Sequence, residues 1–432
     1  MIPGPTLRRS SLPVVISEMH SNAYAISPQN HVRSVSDKRR VGQHRVLLTN
    51  PEQRASLAAA RALASGGFEV ITLGPARALA GNSRATMAHF KTPAGQGTLP
   101  GLDSFVSAIR AHSIDTVLPI TDAACGLLLG SDHVLGATVA GATREAYLRA
   151  SNKALVLETA ASCGLRVPEQ VLLASPDDTT QLHWNRPAVV KPARSVVEKN
   201  GQPITVPGAR YAADAQSLRE VLQSYPDNAY PLLLQERAQG RGAGVFLFRV
   251  GGRTPLVYGH MRLHEKPPSG GVSTYREAVL PSPELVSACE RLLDKLEYEG
   301  PAMVEFKHDA ASGDYVLMEI NARLWGSLQL AIDAGLDFPG AIVRFANGEE
   351  VLPATATRPG VRSVWELGEL DHCLALATRS RASLNVAASF PVGPGAAIKA
   401  LFNHRMGDRA EVFRMRDPMP FLNELSRWVR GR

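Results

Sequence analysis

The sequence predicts two fold types in series: a small doubly wound α/β domain over residues 44–150, then a larger α+β unit over 151–352. Three observations predict it. Strand, helix and strand alternate from His44 to Gly74. After residue 151, strands with period-two patterning follow one another with few helices between them. A turn-rich "AASGD" at 310–314 then folds two such strands into a hairpin.

In the first part, Val46–Leu48 is a short apolar run, and Pro51 opens a helix through "EQRASLAAARALASGG" that Gly66 and Gly67 stop. "FEVITLG" is a second strand. "AIRAHSIDTVLPITDAACGLLLG" repeats the theme as helix, buried strand Thr116–Ile120 and helix. No G-x-G-x-x-G follows the first strand, so a dinucleotide fingerprint is not supported. In the second part, a helix capped by Ser151 runs to Gly164, and Pro168 ends it. The strands "PAVVKPA", "PLLLQERA", "VFLFRVGG" and "PLVYGHMRLHE" follow, interleaved with helices "SPELVSACERLLDKLEY" and "LWGSLQLAIDAG". "LPATATRPG" reads as a linker into a C-terminal segment, 353–432. There "VWELGELDHCLALATRSRAS" is helical and "DPMPFLNELSRWVRGR" is an amphipathic basic helix, suited to packing on the body or to homo-oligomer contacts.

Charge excludes one partner class. Six Lys/Arg against two Asp/Glu in residues 1–43, and seven Arg against four Asp/Glu in 405–432, account for the whole net charge of +7. The folded body between them is neutral, so no basic groove for nucleic acid is expected. No run of about 18 apolar residues occurs, and no membrane span is expected. Residues 1–43, rich in Ser and Asn, read as a flexible basic tail, with a removable transit-type extension as the alternative. Cys125, Cys163, Cys289 and Cys373 lack any C-x-x-C spacing, which points to free thiols in a reducing cytoplasm.

The hairpin carries the chemistry. If it is symmetric about Ser312, Glu305 faces Glu319 and Met303 faces Asn321, while Val304, Phe306, Val316, Met318 and Ile320 pack the other face. Opposed like charges destabilise a sheet, and a divalent cation on carboxylate and amide oxygens offsets that. The alternative is a solvent-facing pair neutralised by Lys307 and Arg323. Lys191 ends the apolar strand "AVVKPA", where a lysine needs an anionic partner or must snorkel to water. Lys153 follows a helix cap, and Gln235 and Glu236 stand where a buried strand enters a Gly-rich turn.

As an ordered set, Lys153, Lys191 in "VVKP", "LLLQERAQG", Glu305 and "MEINARLWGS" resemble an ATP-grasp enzyme over residues 44–352. The resemblance is greatest to the branch of carbamoyl-phosphate synthase and carboxylate–amine ligases. It implies a Rossmann-like domain followed by a two-lobed grasp, with lobes at about 186–255 and 256–352. It further implies that Lys153 and Lys191 contact ATP phosphates, and that Gln235, Glu236 and the backbone near Ala238 line the adenine pocket. Glu305, Glu319 and Asn321 would hold Mg²⁺ (or Mn²⁺), with Arg323 facing the transferring phosphoryl group. Two departures stand out. "KPARSVVEKNGQPI" lacks the family's glycine-rich loop, leaving Ser195 or Lys199 to cover phosphate, and no acidic ribose ligand stands near Ala243–Gly244.

The implied reaction joins a small-molecule carboxylate to an amine through an acylphosphate. A bidentate arginine suits the substrate carboxylate: Arg262 first, Arg276 second. Gly270-Gly271 would let the following loop close over the intermediate. The rival readings are a carbamoyl-phosphate-synthase-like enzyme using bicarbonate and a non-catalytic nucleotide-binding protein.

Overall fold

The computed structural model describes residues 44–92, 99–199, 202–354, 358–387 and 389–431. The expected basic tail, Gly201 and part of the expected linker lie outside them.

Strands β1 (Arg45–Leu48), β2 (Glu69–Gly74), β3 (Ala88–Lys91), β4 (Thr116–Leu118) and β5 (Thr138–Val139) form a parallel sheet. Its order is β3-β2-β1-β4-β5. The order reverses between β1 and β4, and such a switch point leaves a crevice beyond the strands' carboxyl ends. The helix after β4, Asp122–Leu128, starts there, capped by Thr121.

β6 (Gln170–Leu173), β7 (Ala188–Pro192), β10 (Arg210–Ala212) and β11 (Leu232–Glu236) make an antiparallel sheet in the order β10-β7-β11-β6. Between β7 and β10, β8 (Val196–Lys199) and β9 (Gln202–Thr205) pair as a separate hairpin. One face of this sheet packs Val190, Leu232 and Leu234 against Leu218 and Leu222 of the Ala215–Gln223 helix. The other face turns Leu233 toward Val304, Phe306 and Leu317 of the largest sheet.

That sheet contains β12 (Arg241–Val250), β13 (Arg253–Lys266), β14 (Val272–Val279), β15 (Gly300–His308), β16 (Tyr315–Asn321), β17 (Arg362–Val364) and β18 (Arg409–Ala410). The order is β16-β15-β12-β13-β14-β17-β18. Its core is continuous with that of the parallel domain: Phe246, Tyr258, Trp325 and Phe338 belong to the same buried cluster as Val46, Leu48 and Leu57. The C-terminal basic helix, Met419–Arg430, packs on the body, where Glu424 Oε1 accepts from Trp365 Nε1 at 3.0 Å. All four cysteines are free and buried. Among the described residues, no helix is long and apolar enough to cross a membrane.

Two local expectations need correction. Met303, Val304 and Glu305 pair with Asn321, Ile320 and Glu319 as the symmetric hairpin requires, but a bulge intervenes before Phe306 meets Leu317. Met318 is the extra residue. The shift of one residue puts Leu317 in the core and leaves Val316 and Met318 half-buried, against the expected alternation. The cap of the Lys153–Ala161 helix is Asn152 and not Ser151. Its Oδ1 accepts from Ala154 N at 3.2 Å and Leu155 N at 3.4 Å. Asn152→Ala is therefore expected to cost about 1 kcal/mol in chemical denaturation, whereas Ser151→Ala leaves the midpoint unchanged.

Candidate functional site

The β15–β16 hairpin sets two carboxylates face to face, Glu305 opposite Glu319. Burial pushes the Glu305 carboxyl up, and Glu319 adds to the rise, while Arg262 opposes it. Burial also acts against ionised Glu319, but Lys153, Lys191 and Arg323 outweigh it and hold that carboxyl below the usual carboxylate range. The pair thus divides into one carboxylate whose charge its neighbours favour and one whose charge burial disfavours.

Both lysines arrive from elements packed against this hairpin. Lys191, at the end of β7, is buried, and its Nζ donates to Met318 O at 2.9 Å. The bulge is what frees that carbonyl, since Met318 has no partner in the β15 register. Burial draws the Lys191 ammonium down to about 8, with Glu319 acting the other way. Lys153 opens its helix with its backbone N–H on Ala193 O at 2.8 Å. Its Nζ lies 2.8 Å from Ser195 Oγ and 3.4 Å from Glu319 Oε2, so it joins the start of the β8–β9 hairpin to the acidic pair.

Asn321 and Arg323 extend the face. Arg323 Nη2 donates to Asn321 Oδ1 at 3.1 Å, and its Nε donates to Asp122 Oδ2 at 2.8 Å. Asp122 stands at the switch-point helix of the parallel domain, so the first domain supplies part of the site. A cavity of about 180 Å³ opens beside this cluster, lined by Asp122, Arg144, Tyr147, Lys153, Arg194, Ser195, Glu319 and Asn321, among others.

The structure does not bring every expected residue to that cavity. Arg262 is buried beside Glu305: its Nη2 is 2.7 Å from Glu305 Oε2, and its Nη1 reaches Glu265 Oε1 at 3.0 Å and Gly271 O at 3.1 Å. Arg276 is fully buried and paired with Glu411, away from the acidic pair. Gln235, Glu236 and Ala238 lie where β11 passes to β12, outside the cavity lining. Gln235 shares the Lys191 face of its sheet, and its Nε2 donates to Gln170 Oε1 at 2.7 Å while its Oε1 is buried without a partner. The Glu236 carboxylate accepts from Glu169 N at 3.2 Å. Lys199, at the end of β8, is exposed.

Three residues at the cavity escape sequence reasoning: Asp122, Arg144 and Arg194. Arg144 Nη2 is 3.5 Å from Glu198, whereas Arg194 forms no ion pair among the described residues. Burial lowers the Arg194 guanidinium from its ordinary value. A loop arginine has no periodic signature, and only its place in the cavity lining marks it out.

The family model for "ATP-grasp in the biosynthetic pathway with Ter operon" matches residues 263–368, which include Glu305, Glu319, Asn321 and Arg323. The L-amino acid ligase from Bacillus licheniformis superposes with a TM-score of 0.54 at 16% identity, over 72% of this chain and 77% of that one. The ADP complex of N5-carboxyaminoimidazole ribonucleotide synthetase superposes at 0.58 and 15% identity, over 84% and 96%. The chain has the ATP-grasp fold. Biotin carboxylase from Campylobacter jejuni shares it at a TM-score of 0.56 and 15% identity, over 73% of this chain and 74% of that one. No curated protein matches the sequence. The sheet of β6, β7, β10 and β11 meets the sheet from β12 to β18 where Lys191 Nζ donates to Met318 O.

Proposed function

We propose that the protein is an ATP-dependent carboxylate–amine ligase that forms an amide or peptide-like bond and releases ADP and phosphate. The observation that carries this reading is the meeting of the Glu305–Glu319 pair with Lys153 and Lys191 from the facing elements. Lys191 and Lys153 offer ammonium groups to phosphate oxygens, and the β8–β9 hairpin, tied to Lys153 through Ser195, covers them. Gln235, Glu236 and the backbone at Ala238 form the adenine end, on the strand that pairs with the Lys191 strand.

Glu305, Glu319 and Asn321 suit a hard divalent cation, because two half-buried, directly opposed carboxylates and an amide oxygen share one face. Mg²⁺ or Mn²⁺ held there would neutralise charge gathering on the phosphate oxygens. Arg323, fixed by Asp122 and Asn321, presents its guanidinium to the transferring phosphoryl group. Arg194 takes the substrate carboxylate, since it lines the cavity and has no ion-pair partner among the described residues. Arg262 is engaged by Glu305, Glu265 and Gly271 and so holds Glu305 in place. A carboxylate oxygen attacks the γ-phosphorus and ADP leaves; the amine then attacks the acyl carbon, and phosphate departs as the C–N bond forms.

The test is ADP release with ATP, Mg²⁺ and pooled amino acids, followed by mass detection of a new amide. Turnover is expected only with both a carboxylate and an amine, and Arg194→Ala should raise the carboxylate KM by more than tenfold with a much smaller change for ATP. ADP formation with bicarbonate alone would replace this reading with the carbamoyl-type reaction. Tight ATP binding without turnover on any pool would make the protein a non-catalytic nucleotide binder.

A further inference from the structure

Away from the Glu305–Glu319 pair, three side chains from separate elements converge: His264 of β13, Glu369 of the Glu366–Thr378 helix, and His404 beyond the Pro394–Phe402 helix. The His264 Nδ1 lies 2.6 Å and the His404 Nε2 3.3 Å from one oxygen of Glu369, Oε1. All three donor atoms fall within 4.8 Å of one another. We propose that His264, Glu369 and His404 form a second metal site, distinct from the ATP cleft, for a zinc-class divalent cation.

The surroundings fix the donors. Thr274 Oγ1 donates to the other Glu369 oxygen, Oε2, at 2.7 Å, which leaves Oε1 to the two imidazoles. The His264 ring stacks on His372 with centroids 4.7 Å apart and planes 6° from parallel, and His372 Nδ1 is in turn 2.7 Å from Glu265 O. The His404 ring packs on Tyr275 at 4.6 Å, and the Tyr275 hydroxyl lies 2.7 Å from Asp408 Oδ2. Register shifts on both sides of His264 interrupt the β13–β14 ladder, and bulges of that kind re-aim a side chain.

The donor set selects the ion. Two imidazoles and one carboxylate suit Zn²⁺ and its neighbours, whereas Mg²⁺ and Ca²⁺ prefer oxygen alone. Metal–ligand distances of about 2.1 Å put tetrahedral donors roughly 3.4 Å apart. The Glu369–His264 contact of 2.6 Å must therefore open by about 0.8 Å to admit the ion. His404, the most exposed of the three, leaves the fourth position open to water. Glu369 and His404 lie past the residues that the family model matches, so two of the three ligands come from the C-terminal segment of this chain. A bound ion would staple that segment to β13.

The test uses the full chain, stripped with a chelator and titrated with Co²⁺. One equivalent is expected to give visible bands of a four- or five-coordinate nitrogen–oxygen site, displaced by Zn²⁺ but not by a tenfold excess of Mg²⁺. Zn²⁺ should also raise the Tm by several degrees. His404→Ala is expected to weaken Co²⁺ binding at least tenfold, and Glu319→Gln to leave it intact. A wild-type protein with neither Co²⁺ bands nor a Zn²⁺-dependent Tm shift overturns the proposal, whatever the variants do. So do bands that persist in His404→Ala, or that vanish only in Glu319→Gln.

Discussion

Lys191→Met is expected to lower ADP formation about a hundredfold or more, the scale of removing one charge-stabilising donor from a closed site, while leaving the fold intact. The separation of effects follows from what the lysine does without a ligand. It is buried, its Nζ donates to Met318 O, and burial has drawn its ammonium down to about 8. An apolar side chain of similar length removes that desolvation cost, so the Tm should move by no more than a few degrees. The pH dependence has a definite sign. Because the folded pKa lies below the unfolded value, the charged lysine costs stability below about pH 8, and the cost is relieved as pH rises toward 10.5. ATP phosphates favour the charged form, so ATP affinity should fall as pH climbs through about 8 and should lose that slope in Lys191→Met. Glu319→Gln is expected to cut turnover by at least tenfold, as is Arg323→Ala. Wild-type rates in Lys191→Met and Glu319→Gln would remove the basis for the proposed phosphate and cation site. Steady-state ADP release and ATP titrations at pH 7, 8 and 9 decide it.

Local pattern accounts for what the sequence makes legible. The Glu305–Glu319 register follows from a turn centred on Ser312 and period-two alternation, both carried by adjacent residues. The bulge at Met318 is one inserted residue, and nothing in "YVLMEIN" distinguishes it from a regular strand. Yet that bulge supplies the carbonyl that Lys191 binds. Asn152 displaces Ser151 as cap by one position, a choice between two good capping residues that only the backbone angles decide. The least legible features are non-local. Arg276 reads as a strand arginine free to bind substrate, and its burial depends on Glu411, far along the chain. Glu411 reaches it because β18, only two residues long, joins the edge of the largest sheet through β17. No window of sequence contains that pairing. Asp122 and Arg194 are illegible for the same reason, since the cavity that gives them meaning is assembled from the first domain, the hairpin of the second sheet and β16.

The buried carboxylate of Glu411 carries the largest expected effect on stability. Arg54 Nη1 lies 2.6 Å from its Oε2, and Arg276 Nη2 pairs with the same oxygen. Arg54 comes from the first helix of the parallel domain, Arg276 from β14, and Glu411 follows β18, so one carboxylate joins three distant parts of the chain. Glu411→Gln leaves two guanidinium groups buried together around a neutral amide. Removing one partner of a buried ion pair costs about 3–5 kcal/mol, because the remaining charge is stranded. Arg276→Met deletes a fully buried side chain but leaves Glu411 neutralised by Arg54, so no buried charge is stranded. The expected order in urea unfolding is therefore a large midpoint loss for Glu411→Gln and a small one for Arg276→Met. If packing around the Arg276 stem governed this region instead, the order would invert. Limited proteolysis adds a second readout: with the Glu411 charge gone, cleavage around β18 should speed up, because that strand is two residues long and Glu411, next to it, carries the ion pairs to Arg54 and Arg276.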